Sequence, residues 1–420
     1  MIRAFYAAAW FLATPLVLLR LAWRGRRQRG YLENVGERFG FYRAPPASPV
    51  VWVHAVSVGE TRAAAPLVEA LRERYPAHRI LLTHMTPTGL STGREIFGDS
   101  VERAWLPYDV KFAVRRFLAH YRPVVGVIME TEIWPRLLEE AKRAGIPVVL
   151  ANARLSERSA RRYARAPALA RWALSNFAGV AAQTQDDAAR LAALGARDPL
   201  VLGNVKFDLA LPDTMVQRGS QFRARFGDRM VWVAASTREG EEALLLDAFA
   251  SCGADASVLL VIVPRHPQRF DEVARLAAER GFEVARRSVE GGIAAGVRVA
   301  IGDSMGEMLA YYAAADLAII GGSFLDFGGQ NLIEACALGR PVIVGPYTYN
   351  FEEAAKGAVA AGAALRVADA AQAMREANGL STDAARRQSM GAKGLAFVAA
   401  HRGAVERLAA WISSRAKASG

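Results

Sequence analysis

Apolar and polar positions along the chain fall into distinct regimes. From Ala4 to Leu19 no charged residue interrupts the run, and residues 21–23 extend it beyond Arg20. That is about the length needed to span or deeply enter a bilayer. From Val50 onward, short apolar runs alternate with helical patterns. Strands are predicted at residues 50–53, 80–83, 124–129, 147–150, 180–182 and 200–202, with helices at 61–74, 110–121 and 136–144 between them. After Pro212 the scheme restarts, with strands at 231–234, 258–263, 297–301, 317–320 and 341–344. Continuous apolar strands separated by helices predict parallel sheets covered on both faces. Two such series predict an α/β protein: two Rossmann-like, doubly wound parallel-sheet domains facing a cleft, after an N-terminal hydrophobic helix. The expected divisions are an anchor over 1–23, a first domain over 24–205, a second over 206–380, and C-terminal helices over 381–420 packing back on the first domain.

Charge narrows the partners. With 52% apolar and 22% charged residues the chain is globular, and its net charge of +12 implies anionic company. Nucleic acid fits the charge but not the pattern, because the basic residues are dispersed along helices without aromatic interleaving. Arg24, Arg26, Arg27 and Arg29 follow the apolar N-terminus, against Arg3 before it. That asymmetry predicts a membrane anchor with the bulk of the chain on the cytoplasmic side. The same arginines suit anionic lipid headgroups, at about 1 kcal/mol each. The competing role for this segment is a helix packed on the protein itself. Cys252 and Cys336 form no motif and read as buried thiols of a cytoplasmic protein. The six histidines are scattered and no Asp-x-Asp occurs, so no structural metal is predicted.

Ligands of open α/β sheets bind beyond the carboxyl ends of strands, which directs attention to the residues after each apolar run. HAVSVGET (54–61) places Glu60 at a helix start, where the dipole favours a carboxylate. Such an acid either caps the helix or serves as a general base. METEIWP (129–135) supplies Glu130 and Glu132, which point oppositely if extended, so that one faces a ligand. Asn152 and Arg154 follow the next strand in the same manner. GNVKFD (203–208) offers Lys206 as positive charge for a phosphate or carboxylate. In the second half, Ser236, Arg265, residues 305–307 and the stretch from Gly321 to Glu334 follow four strands. They suit a nucleotide: amides of the glycine-rich loop, Arg265 and a helix predicted to start at Asn331 for phosphate, Glu334 for ribose, and Met305 and its neighbours for a base.

Together HAVSVGE, THMTPTG, ETEIWP, GNVKFD, ASTREGE, PRHPQRF, GDSMGEM and GGSFLDFGGQNLIEA resemble the motifs of the 3-deoxy-D-manno-octulosonic acid (Kdo) transferases of lipopolysaccharide assembly. The likeness covers nearly the whole chain, including the apolar N-terminus and LENVGERFG (32–40). It implies a GT-B glycosyltransferase, inverting and without metal or other cofactor. Such an enzyme moves Kdo from CMP-Kdo to the lipid A precursor (lipid IVA) at the cytoplasmic face of the inner membrane. It further implies that Glu60 matches the family's base and that Glu130 and Lys206 match its transition-state stabilisers. Pro264 and Arg265, Met305, Gly306 and Glu307, and Asn331, Leu332, Ile333 and Glu334 match its CMP contacts. Two other classes share the architecture or the membrane helix. A UDP-sugar 2-epimerase needs no lipid acceptor, and a non-enzymatic sugar-nucleotide or lipid binder leaves Glu60, Glu130 and Lys206 without a role.

Overall fold

The computed structural model describes residues 2–43 and 48–417, so Met1 of the expected anchor and 418–420 of the expected C-terminal segment lie outside the described residues. The described chain up to Asp208, together with the residues from Arg402, forms one compact unit, and Leu209–His401 forms a second. The expected division at 205/206 therefore moves to 208/209, which leaves Lys206 in the first unit. The expected 381–420 segment divides as well. Its helix Ala384–His401 stays with the second unit, and only the helix Ala404–Lys417 belongs to the first.

Among the described residues the first unit holds a seven-stranded parallel sheet: β1 (Val50–His54), β2 (Arg79–His84), β3 (Glu102–Trp105), β4 (Pro123–Met129), β5 (Val148–Ala153), β6 (Gly179–Ala182) and β7 (Leu200–Val201). Its order is β3-β2-β1-β4-β5-β6-β7. Side chains alternate across a strand, yet β1 is buried throughout because both of its faces meet helices. Val50 and Trp52 enter one core layer with Phe117 and Leu137, and Val51 and Val53 enter the other with Leu67 and Leu408. The second unit repeats the plan with β8 (Val231–Thr237), β9 (Leu259–Pro264), β10 (Val284–Arg286), β11 (Val299–Ile301), β12 (Leu317–Ile320), β13 (Val342–Val344) and β14 (Ala364–Arg366). Here the order is β10-β11-β9-β8-β12-β13-β14. The three strands absent from the sequence expectation, β3, β10 and β14, are all sheet edges. An edge strand is half solvated and carries charged residues, so it lacks the continuous apolar run of a central one.

The N-terminal helix α1 (Ile2–Arg27) is long and apolar enough to cross a membrane. It also packs on the first unit. The Tyr6 hydroxyl donates to Asp109 Oδ2 at 2.6 Å, Tyr6 sets its ring edge against Trp172, and Arg3 pairs with Glu139 at 2.8 Å. The stripe facing away is apolar and open: Phe11 is 81% exposed and Leu16 68%.

Candidate active site

In the first unit the candidate groups gather where the chain leaves β1 and β4, the neighbouring strands between which the sheet order reverses. Loops at such a switch point turn to opposite faces and leave a crevice. After β1, the extended backbone and side-chain oxygen of Ser57 cap helix α2 (Val58–Arg74), accepting from the Glu60 N–H at 3.5 Å. The helix thus starts earlier than the expected position 61, and Glu60 sits inside its first turn. Its carboxylate reaches back, accepting from Val56 N–H at 2.7 Å and from the Ser57 hydroxyl at 3.3 Å. Ser57 and Glu60 form a reciprocal cap, so the capping role is real. It leaves the carboxyl poised between its charge states. Burial, the largest cause, pushes Glu60 up to about 7; the Val56 N–H opposes this, and the charges of Glu130 and Glu132 add to it.

Glu130 leaves β4 in the left-handed region at φ 57°, an uncommon conformation for a residue with a Cβ. That turn breaks the alternation expected of an extended chain. Glu130 and Glu132 both act electrostatically on Glu60. Lys206, on the turn Val205–Phe207, donates to Glu130 Oε1 at 3.0 Å, and both side chains are mostly buried. Asn204 accepts from the Lys206 N–H at 3.0 Å and Asn152 from the Val205 N–H at 3.1 Å, which fixes the turn beside β5. Asn152 is therefore a support rather than a contact aimed outward. His54 and His84 lie beneath the same loops. Burial first, and for His54 its neighbour His84, lower them to about 3 and about 4, so neither is charged at neutral pH. Glu60, Glu130 and Lys206 are thus brought together within one unit. Two surface cavities of this unit, of about 290 and 520 Å³, include none of the three.

In the second unit, β11, β9, β8 and β12 are consecutive in the sheet and deliver the other candidates from one edge. Ser236 at the end of β8 has φ 55°, and Pro264 ends β9, with Arg265 N–H donating to Thr237 O at 3.0 Å. Beyond β11, Met305 is exposed and Gly306 has φ 78°, whereas Glu307 turns inward. Its carboxylate pairs with Arg218 at 2.6 Å and Arg287 at 2.8 Å. Burial pushes Glu307 up, but hydrogen bonds from Ser304 and Arg287 and the two arginine charges hold it below the usual range. Its side chain therefore supports the loop.

The loop after β12 differs in one respect from expectation. The helix predicted from Asn331 is Ile333–Ala337, five residues long. Asn331 accepts from the Ile333 N–H at 3.1 Å and donates to Glu334 Oε1 at 2.8 Å. So short a helix adds little dipole, and the side chains of Leu332 and Ile333 are core residues. The loop is held by a residue that sequence reasoning passed over. Glu241, fully buried, accepts from Gly322 N–H at 2.6 Å, Arg238 N–H at 2.8 Å and Phe324 N–H at 2.9 Å. Gly322 needs its positive φ of 67° to present that N–H. Among the described residues no group of three or more His, Cys, Asp or Glu is arranged to hold a metal ion.

The two parallel seven-stranded α/β units define a fold class, GT-B. Solved structures with similar folds include Anabaena HepE in complex with UDP-glucose (14% identity, 88% of this chain and 99% of that one, TM-score 0.58). A second is the UDP-GlcNAc 2-epimerase of Neisseria meningitidis bound to UDP-GlcNAc (16% identity, 88% and 100%, TM-score 0.59). At those identities the likeness is one of fold. Sequence separates the transferase from the epimerase. Residues 33–209 match the family model described as 3-deoxy-D-manno-octulosonic-acid transferase (kdotransferase). The Bordetella pertussis 3-deoxy-D-manno-octulosonic acid transferase is 47% identical, over 96% of this chain and 97% of that protein. The Haemophilus influenzae enzyme of the same description is 37% identical, over 97% of each. The chain belongs to the Kdo transferase family and is an enzyme.

Proposed function

We propose that the enzyme transfers Kdo from CMP-Kdo to the lipid A precursor, lipid IVA, inverting the anomeric centre without a metal. The observation that carries the reading is the Glu60 carboxyl, raised to about 7 beside the Glu130–Lys206 pair at the switch point of the first sheet. Glu60 takes the proton of the acceptor hydroxyl as its oxygen bonds to the anomeric carbon. The bond from that carbon to the phosphate oxygen breaks on the opposite side, and CMP leaves. A base titrating near working pH combines a large ionised fraction with useful basicity. Lys206, aligned by Glu130, supplies fixed positive charge to the transition state. On the second unit Arg265, the main chain at 264–265, 305–307 and 331–333, and Glu334 contact CMP. The exposed stripe of α1 holds the enzyme at the cytoplasmic face of the inner membrane, where an acylated acceptor resides.

Glu60→Ala tests the assignment. Transfer followed by mass spectrometry of the lipid product should fall by at least ~10²-fold, while CMP binding by calorimetry stays as in the wild type. Turnover like that of the wild type would remove Glu60 as the base. The same spectra count the Kdo residues added.

A further inference from the structure

A buried histidine of the first unit reaches Glu60 through a single peptide group. His84, the last residue of β2, is fully buried, and its Nδ1 lies 2.8 Å from Ala55 O. A carbonyl oxygen can only accept, so that nitrogen carries the ring hydrogen and donates it. The Thr61 hydroxyl, 3.5 Å from the same nitrogen, gives its own proton to Ser57 O at 2.8 Å. Ala55 C=O and Val56 N–H belong to one planar peptide, and the Val56 N–H donates to Glu60 Oε2 at 2.7 Å. A hydrogen bond accepted at one end of an amide strengthens the donor at its other end. Glu60 Oε1 is held more loosely, by the Ser57 hydroxyl at 3.3 Å. The imidazole fits a slot in helix α3 (Pro87–Phe97), where a Cβ at Gly93 would stand 2.9 Å from Nε2 and one at Gly89 would stand 3.3 Å from Nδ1. Nε2 has no hydrogen-bond partner, so the Nδ1 bond and the slot orient the ring. His54 of β1 and Arg103 of β3 face His84, while Glu130, paired with Lys206, and Glu132 face Glu60. Burial, helped by Arg103 and opposed by Ala55 O, lowers His84 to about 4. Near neutral pH it is therefore a fixed neutral donor.

We propose that His84 is a positioning residue for the transfer: through the 55–56 peptide it fixes Glu60 Oε2 and leaves Oε1 to take the proton of the acceptor hydroxyl. The inference rests on Glu60 as the base. Without the His84 donor the Val56 N–H is a weaker partner for the carboxylate. Glu60 then holds its proton more tightly, and a larger share is protonated below neutrality.

The test compares His84→Leu, His84→Gln and His84→Asn in the full chain. An asparagine amide can place an N–H where Nδ1 stands, a glutamine amide extends towards the Nε2 end, and leucine fills the slot without a donor. The acid limb of kcat/KM should move up by about half a pH unit in His84→Leu and His84→Gln, a ~3-fold loss at about pH 6. In His84→Asn it should stay in place. A packing role predicts the reverse order, because leucine fills the slot better than asparagine. Titration of the Glu60 carboxyl by carbon NMR, its signal assigned by loss in Glu60→Gln, should show the same displacement without turnover. Equal displacement in all three variants, or none in His84→Leu and His84→Gln, overturns the role of His84. A carboxyl midpoint that moves while the limb does not removes Glu60 as the base, and the part of His84 in transfer falls with it. Should His84→Leu not fold, His84→Gln decides by the same comparison.

Discussion

Glu60 is drawn towards both of its charge states. The Val56 N–H and the Ser57 hydroxyl favour the carboxylate, while burial and the two nearby acids favour the proton. The balance near 7 makes the charge of this one group sensitive to small changes around neutrality. A base must be ionised to accept a proton, so kcat/KM should rise as pH increases through about 7 and level off above it. Glu132→Gln removes one of the negative charges that raise Glu60, so the acid limb should move to lower pH. An unmoved limb in a pH–rate profile would mean that the limb belongs to another group. Glu60 was readable in the sequence as an acid at a helix start. Its titration was not, because the acids that tune it arrive from a different loop.

At the scale of elements, the glycine-rich loop after β12 owes its form to a carboxylate on a different strand–helix turn. Glu241 satisfies three backbone N–H groups, and Gly322 lies 81 positions further along the chain. Gln at 241 keeps the size but exchanges one acceptor for a donor facing an N–H. Leaving one buried donor unmet should cost about 1–3 kcal/mol of stability, visible as a lower melting point. KM for the sugar nucleotide should rise more than kcat falls. An unchanged donor KM would separate this loop from donor binding. The loop's glycines were legible in the sequence because positive φ restricts residue choice. Glu241 was not, since a fully buried acid in an ASTREGEE run has the same letters as a solvated helix start.

At the scale of the molecule, the chain crosses from the second unit to the first at Arg402, so the last helix completes the core laid down by the first residues. Leu408, Ala409 and Ile412 pack in the layer with Val51, Leu67 and Val405. Asp208 fixes the crossing by accepting from Val405 N–H at 2.5 Å and from Gly403 N–H. Ile412→Ala should therefore destabilise the unit that carries Glu60 by about 2–5 kcal/mol. Protease cleavage or hydrogen exchange confined to 209–401 would contradict that placement. The N-terminal helix has the opposite character, with one stripe fastened through Arg3 and Tyr6 and another left apolar. Deleting the helix would also bare Trp172 and Asp109, so a cleaner probe changes only the outward face. Phe11→Ser, Leu12→Ser and Leu16→Ser together should release the protein from vesicles while its melting temperature holds. Undiminished sedimentation would count against the anchor.

The repeated alternation of apolar runs and helical patterns was enough to determine two parallel α/β units, because central strands buried on both faces leave an unbroken apolar signature. Motif order along nearly the whole chain was enough to indicate the family. Three things depended on tertiary structure. The edge strands β3, β10 and β14 have too little buried surface to mark the sequence. The unit boundaries depend on which core a helix joins, and Ala384–His401 and Ala404–Lys417 look alike in composition but pack in different units. The third is the charge state of Glu60. Position 60 could be read from the chain, but its pKa follows from burial and from Glu130 and Glu132, and Lys206 is 76 residues from the Glu130 it pairs with. Electrostatic energies depend on separation and solvent access, and only folding sets either.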